Sequence, residues 1–180
     1  MDQKGIAPLI IVAIVVIAAV VVGVAVLVAT RGEEGAPGGE GGGGGGDIGT
    51  ATSLSFDVEV REPDGDVTYT GTFKGKNLGA ANFKFRMEGT VAGVEFKVIA
   101  DAGTEKAWAW NSATGWMDVS SYFQTYFDQY RAEFESYQEQ LSGWTGGDYT
   151  YTDPTTGYSV AMSNIEVNPD LPDSLFQAPI

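Results

Sequence analysis

Apolar and polar residues alternate along much of the chain after residue 53, the pattern of strands with one buried face. Pro63, Asp64 and Gly65 mark a turn between the first two alternating runs. The apolar positions of the first four runs are Leu54, Phe56, Val58 and Val60; Val67, Tyr69, Gly71 and Phe73; Phe83, Phe85 and Met87; and Val94, Phe96, Val98 and Ala100. Further strands are expected over 107–110, 116–119, 149–151 and 158–167. The pattern predicts a meander of half-buried antiparallel strands.

The period changes between Ser121 and Gly143. Ser121 with Gln124 resembles a capping box, and Gly143 is a plausible helix stop. An apolar stripe at spacings of four and three predicts an amphipathic helix of about six turns; its members are Phe123, Phe127, Tyr130, Phe134, Tyr137 and Leu141. We expect this helix to pack on the sheet. The alternative is a helical partner, although three heptads are short for a coiled coil.

The segment from Ile6 to Thr30 contains 25 residues and no charge. A helix of this length reaches about 37 Å, enough to cross a hydrocarbon core of about 30 Å. Pro8 stands in the first turn, where its missing N–H costs little. We therefore expect a transmembrane helix over 6–30, behind a short segment over 1–5. A cleaved secretory signal is the alternative, but its apolar region is usually shorter.

Residues 31–50 are almost entirely Gly and acidic residues after Arg31. Such a segment buries no apolar surface that could offset its backbone entropy, so it predicts a flexible linker. As a coil it would span about 25 Å. A separate domain is then expected over 51–180.

The amino-acid composition excludes several kinds of catalytic site, metal site and partner. The 180 residues include no Cys and no His, and the formal net charge is −14. Disulfides, thiolate metal sites and any triad built on His are excluded, and no cofactor is indicated. The acidic surface would be repelled by phosphate backbones, so no nucleic-acid partner is expected. Asp57 and Glu59 lie two apart on a strand and should face solvent together, which does not make a catalytic cleft. We expect no enzymatic activity.

Lys4-Gly5-Ile6-Ala7-Pro8-Leu9-Ile10 resembles the class III signal of archaeal type IV pilin-like proteins. The resemblance implies cleavage after Gly5, so that Lys4, Gly5 and Ile6 form the processing site, and it implies a mature domain outside the cell. Self-assembly is expected only for a pilin subunit. Pilin helices normally join the head directly, whereas this helix runs into polyglycine. A tethered binding domain is therefore preferred to a structural subunit.

Residues 53–179 resemble the LolA-like lipoprotein-carrier superfamily. The segments that carry the resemblance are Phe96-Lys97-Val98-Ile99-Ala100-Asp101, Ala107-Trp108-Ala109-Trp110-Asn111, Gly115-Trp116-Met117, Ile165-Glu166-Val167-Asn168-Pro169-Asp170 and Ser174-Leu175-Phe176. The resemblance implies a curved antiparallel sheet, a half barrel, with helices on its concave face. It also implies binding of a lipid or acyl group without catalysis. This chain departs from the family in offering one long helix instead of two or three.

The resulting expectation is an α+β, mainly β domain: a half barrel covered by one long amphipathic helix, behind an N-terminal transmembrane helix. It would be held at the cell surface by the span over 6–30. It would bind a lipid, a lipidated protein or another apolar ligand in a cavity lined by Phe85, Trp108, Trp110, Trp116, Phe123, Phe127, Tyr130 and Phe134. Three alternatives stay open: the rings simply fill a core, the chain is a pilin-like subunit, or the domain serves adhesion to a protein partner.

Overall fold

The computed structural model describes residues 50–91, 93–121, 146–152 and 157–179. They form one antiparallel sheet of eight strands in the order β6-β5-β4-β3-β2-β1-β8-β7. The strands are β1 (Ser53–Arg61), β2 (Val67–Lys76), β3 (Lys84–Val91), β4 (Val94–Asp101), β5 (Lys106–Asn111), β6 (Gly115–Asp118), β7 (Tyr149–Thr152) and β8 (Ser159–Val167). Each of the first five strands pairs with the next, β7 pairs with β8, and β8 returns to pair with β1. The predicted meander is confirmed.

Turn chemistry explains why the strands end where they do. The amide of Gly65 donates to the carbonyl of Glu62 over 2.9 Å, and Gly65 has a φ of 94°. This left-handed conformation is one that glycine adopts without a side-chain clash. At the β5–β6 turn, the Asn111 side chain accepts from the amides of Ala113 and Thr114 at 2.9 and 3.0 Å. The predicted turns at 63–65 and 111–115 are thus closed by the residues that suggested them.

Strand register assigns every side chain to one of two faces. Phe73 pairs with Met87 and Met87 pairs with Val98, so these three share a face. We call this the apolar face. Residues one position along the strands, such as Lys74 and Arg86, share the opposite face, which we call the polar face. The alternation of residue type therefore becomes a separation of the two surfaces of one sheet.

A short C-terminal segment packs on the polar face. It contains a 3₁₀ helix over Asp173–Phe176. Phe176 is 1% exposed and forms a small core with Leu171 and Ile99, which is wholly buried. This cluster is separate from the large apolar core on the other face. The sheet therefore carries apolar packing on both sides, but unequally.

The predicted class of α+β is wrong for the part of the chain that the structure describes. Those residues form a sheet and no helix of seven residues or more. Their apolar positions repeat every two residues, and this period sets a pleated strand and not a helix. The amphipathic helix predicted from Ser121 to Gly143 lies outside the described residues beyond Ser121. The class becomes mainly antiparallel β.

The predicted single-pass membrane location also needs correction. Among the described residues, no helix is long and apolar enough to cross a membrane. The apolar run over 6–30 and the pilin-like signal at Lys4, Gly5 and Ile6 lie outside those residues. An unbroken apolar run has the length of a span, but only an observed helix would establish one.

Candidate functional site

The apolar face is built by strands across the width of the sheet. Its side chains are mostly buried, and its middle is aromatic. Phe56 stacks on Phe73 with ring centroids 5.0 Å apart, and Phe73 lies 6.3 Å from Phe85. Phe83 tilts against Phe85 at 5.8 Å. The four rings form a continuous aromatic row from β1 to the start of β3, and offset contacts of this kind stabilise one another.

Two glycines interrupt this face opposite each other. Gly71 and Gly89 are direct partners across β2 and β3. A Cβ on Gly89 would lie 2.1 Å from the carbonyl oxygen of Thr70, so the strands approach too closely for a side chain. The neighbouring rings fill the space: Tyr69 and Phe96, which stand on strands separated by β3, lie 5.9 Å apart. Aromatic residues thus cover the backbone that the glycines leave bare.

Two polar atoms are buried within this apolar surface without a hydrogen-bond partner in the described part of the chain. They are the hydroxyl of Tyr69 and the Nδ2 of Asn111, and both residues are 3% exposed. Burial raises the pKa of Tyr69 far above its ordinary value, so the hydroxyl keeps its proton. Both residues neighbour Phe96: Tyr69 contacts its ring, and Asn111 is its direct partner across β4 and β5.

The structure divides the predicted cavity residues between the two faces. Phe85 lies on the apolar face, where it pairs with Ala100. Trp108 pairs with Ile99 and Trp110 with Lys97, which places both on the polar face. Trp116 joins them there as the partner of Trp110. The other four, Phe123, Phe127, Tyr130 and Phe134, lie outside the described residues.

The three tryptophans make packing and cation–π contacts on the polar face. Trp108 and Trp116 pack against the small cluster formed by Ile99, Leu171 and Phe176. The ammonium of Lys97 lies 4.9 Å from the ring centroid of Trp110, a distance that suits a cation–π contact. The rings of Trp108 and Trp116 thus contact the C-terminal cluster, and the ring of Trp110 contacts a lysine. None of the three lies on the same face as Phe85.

Cationic side chains of the polar face form hydrogen bonds with the C-terminal segment. Lys76 donates to the carbonyl of Leu171 at 2.8 Å and to Asp173 at 3.1 Å. Arg86 donates to the carbonyl of Leu175 at 3.1 Å. The hydrogen bond from Lys76 and the nearby charge of Lys84 lower the pKa of Asp173. The segment is therefore bound by both apolar contact and directed hydrogen bonds.

A groove of about 630 Å³ crosses the polar face over β8, β1, β2, β3 and β4. Most of its carboxylates accept hydrogen bonds or form ion pairs with neighbouring side chains. Asp57 accepts from Thr72 at 2.7 Å and from Asn164 at 2.8 Å. Glu88 pairs with Arg86 at 2.8 Å. Asp57 and Glu59 share this face as the strand pattern predicts. Within the described ranges, no group of three or more acidic residues is arranged to hold a metal ion.

No family model matches the chain, and no curated protein matches it. The resemblance to the LolA-like superfamily therefore remains a prediction from the sequence.

Sequence reasoning missed Tyr69, Phe96 and Asn111 as candidate site residues. The first two stand in alternating runs, so their shared face follows from the pattern. Their contact across β3 could have been suspected from Gly89, because a glycine within a strand often marks close approach. No sequence signal shows that the hydroxyl of Tyr69 and the amide of Asn111 lack partners, since that depends on register.

Proposed function

We propose that this domain binds an apolar ligand along its apolar face and carries out no catalysis. The ligand class is a lipid, the acyl chain of a lipidated protein or a molecule of similar apolar character. The observation that supports the proposal is a buried face of aromatic rings that contains very few polar atoms, the lining that an apolar ligand site requires. The resemblance of residues 53–179 to the LolA-like superfamily supports the same ligand class.

The surface that would receive the ligand centres on Phe73, Phe85, Met87 and Phe96, which lie on β2, β3 and β4. Each methylene moved from water to such a surface contributes about 0.8 kcal/mol. A chain of about ten methylenes then contributes about 8 kcal/mol before the cost of immobilisation, which removes at least about 4 kcal/mol. Micromolar affinity therefore requires a longer chain or an added polar contact.

The absence of catalysis is part of the same proposal. The apolar face offers no ionisable side chain among the described strand residues except the phenols of its tyrosines, and the phenol of Tyr69 keeps its proton. A general base would need a group able to accept a proton near neutral pH. Binding is then the activity that this face supports.

Native mass spectrometry of the full-length protein tests the proposal. We expect discrete mass additions after incubation with a long-chain lipid ester. The variant Phe96→Leu, which removes aromatic surface from the apolar face, should weaken uptake several-fold. The matched control Trp110→Ala removes a ring from the polar face and should leave uptake unchanged.

Circular dichroism must show that both variants remain folded. A wild-type protein that takes up no fatty-acid ester, isoprenoid or other apolar chain would mean that the rings form a filled core. Equal loss of uptake in Phe96→Leu and Trp110→Ala would place the ligand elsewhere. Either result contradicts the proposed function.

A further inference from the structure

The buried hydroxyl of Tyr69 is an unusual feature of the apolar face. Nine in ten or more buried polar groups in proteins have a hydrogen-bond partner, and an unpartnered one is costly. Here the hydroxyl lies over Gly71, 2.5 Å from the point that a Cβ would occupy, and within the described part of the chain it has no partner. Phenylalanine would supply the same ring without the cost. Something other than packing is needed to account for the oxygen.

Asn111 presents the same situation on the other side of Phe96. Its Oδ1 accepts from the amides of Ala113 and Thr114, at 2.9 and 3.0 Å. Those two bonds fix the orientation of the side-chain amide, because only the oxygen can accept from N–H groups. The free end is therefore the Nδ2 group, which has no partner. Two orphaned groups, each able to donate a hydrogen bond, thus flank one ring of the apolar face.

A third unpartnered atom, the Nε of Arg86, belongs to a different surface. Arg86 shares the polar face with Lys74 and Ile99, its partners across β2 and β4. Its other nitrogens bind Glu88 and the carbonyl of Leu175. It does not contribute to the apolar face.

We propose that the ligand of the apolar face carries a carbonyl oxygen, as an ester or a ketone, and that the hydroxyl of Tyr69 donates a hydrogen bond to it. Asn111 offers a second donor on the far side of Phe96. This inference rests on the proposed function and adds to it the chemical class of the ligand. A protonated phenol and an amide nitrogen both need an acceptor, and a carbonyl on an apolar chain supplies one.

The charge distribution favours a neutral carbonyl over a carboxylate. The described strands carry seven cationic residues, whose register and contacts place them with the polar face: Arg61, Lys74, Lys76, Lys84, Arg86, Lys97 and Lys106. A carboxylate buried on the apolar face would have two neutral donors at most and no counter-ion among these residues. Burying such a charge costs several kcal/mol or more, whereas a carbonyl costs far less.

Four probes of matched length test the proposal with the full-length protein: methyl decanoate, 2-undecanone, decanoate and undecane, each delivered from cyclodextrin. We expect the ester and the ketone to bind about fivefold more tightly than undecane, the gain from one net hydrogen bond. Decanoate at neutral pH should bind more weakly than the ester. Tighter binding of only one of the two would identify an ester or a ketone as the source of the carbonyl.

The variant Tyr69→Phe removes the donor and keeps the ring. It should abolish the preference for ester and ketone over undecane. Thr70→Val is the matched control, since it removes the next hydroxyl of the same strand from the opposite face. The infrared band of a ¹³C-labelled ester carbonyl provides a second readout. In the wild type the bound ester should absorb at lower wavenumber than the same ester in hexane, because its carbonyl accepts a hydrogen bond, and in Tyr69→Phe it should absorb near the hexane position.

The outcomes separate the two proposals. If none of the four probes binds at about 1 mM, the affinity expected for a chain of about ten methylenes, the proposed function itself fails. If they bind with equal affinity, and neither the band nor the affinity ratio responds to Tyr69→Phe, an apolar site exists and the assignment of a carbonyl ligand is overturned. The selectivity and the infrared band of the wild type decide the matter even if the variant proves unstable.

Discussion

At the scale of single residues, Tyr69 and Asn111 are polar groups held inside an apolar surface. Their position in alternating runs is visible in the sequence, and the face on which they lie follows from it. Their lack of partners is not visible, because it depends on which atoms β3, β4 and the β5–β6 turn bring near them. The sequence therefore predicts that Tyr69 is buried but cannot show that its hydroxyl is unpartnered.

The orphaned hydroxyl leads to a prediction about stability. Tyr69→Phe should raise the free energy of unfolding of the ligand-free protein by about 1 kcal/mol, since it deletes a buried polar group that has lost its water. Urea denaturation measures the change. The control is Thr72→Val, which deletes a hydroxyl that does have a partner, Asp57 at 2.7 Å, and should destabilise. Destabilisation by Tyr69→Phe would contradict the absence of a partner.

Gly89 yields a second prediction at this scale. Gly89→Ala should destabilise the fold by about 1–3 kcal/mol or more, because its Cβ would lie 2.1 Å from the backbone of Thr70, which cannot move aside cheaply. Thermal unfolding measures it. Gly103→Ala is the control, since its Cβ would meet its nearest neighbour, the Asn82 side chain, at 3.2 Å. Equal effects of the two substitutions would contradict close approach at Gly89.

At the scale of elements, the strands and the faces of β1 to β4 were predicted well, and the face that carries the tryptophans of β5 and β6 was not. In β5, the order Ala107-Trp108-Ala109-Trp110 alternates small and large apolar residues. Either set could face the large core. Pairing of Val98 with Ala109 puts the alanines there and the tryptophans opposite. The predicted cavity failed to bring Phe85 and the three tryptophans together because register, which decides the face, is weakly encoded when both faces are apolar.

The contacts of the C-terminal segment depend on pH. The pKa of Asp173 is lowered by the hydrogen bond from Lys76 and by the charge of Lys84. A carboxyl whose folded pKa is lowered contributes stability above its unfolded value of about 3.9. That contribution is lost as the pH falls through the folded pKa.

Asp173→Asn should therefore flatten the loss of stability in acid. Chemical denaturation of wild type and variant at pH values from about 5 to 2 measures the difference, which should be largest at the upper end and vanish at the lower. The difference should be small, since Asp173 is largely exposed. Asp118, whose pKa is lowered by hydrogen bonds from Ser120, is unchanged in the variant. Parallel curves over the whole range would contradict the role given to Asp173.

At the scale of the whole molecule, the described chain is a sheet with two unlike surfaces. The polar face carries its own charge pairs and a C-terminal segment, and the apolar face carries aromatic rings with two unpartnered donors. The antiparallel sheet was predicted because period-two alternation maps directly onto it. Helices were predicted where the apolar period or run length changed, and apart from Ser121 both predicted segments, 6–30 and 121–143, lie outside the described residues.

The three methionines of the described sheet provide the most direct test of the central claim, that the apolar face binds the ligand. Met87, Met117 and Met162 all lie on that face, and Ile99 lies on the other. In a methyl NMR titration with methyl decanoate, we expect the signals of Met87 and Met162 to shift while that of Ile99 stays in place. Shifts confined to Ile99, or none at saturating ester, would contradict the account.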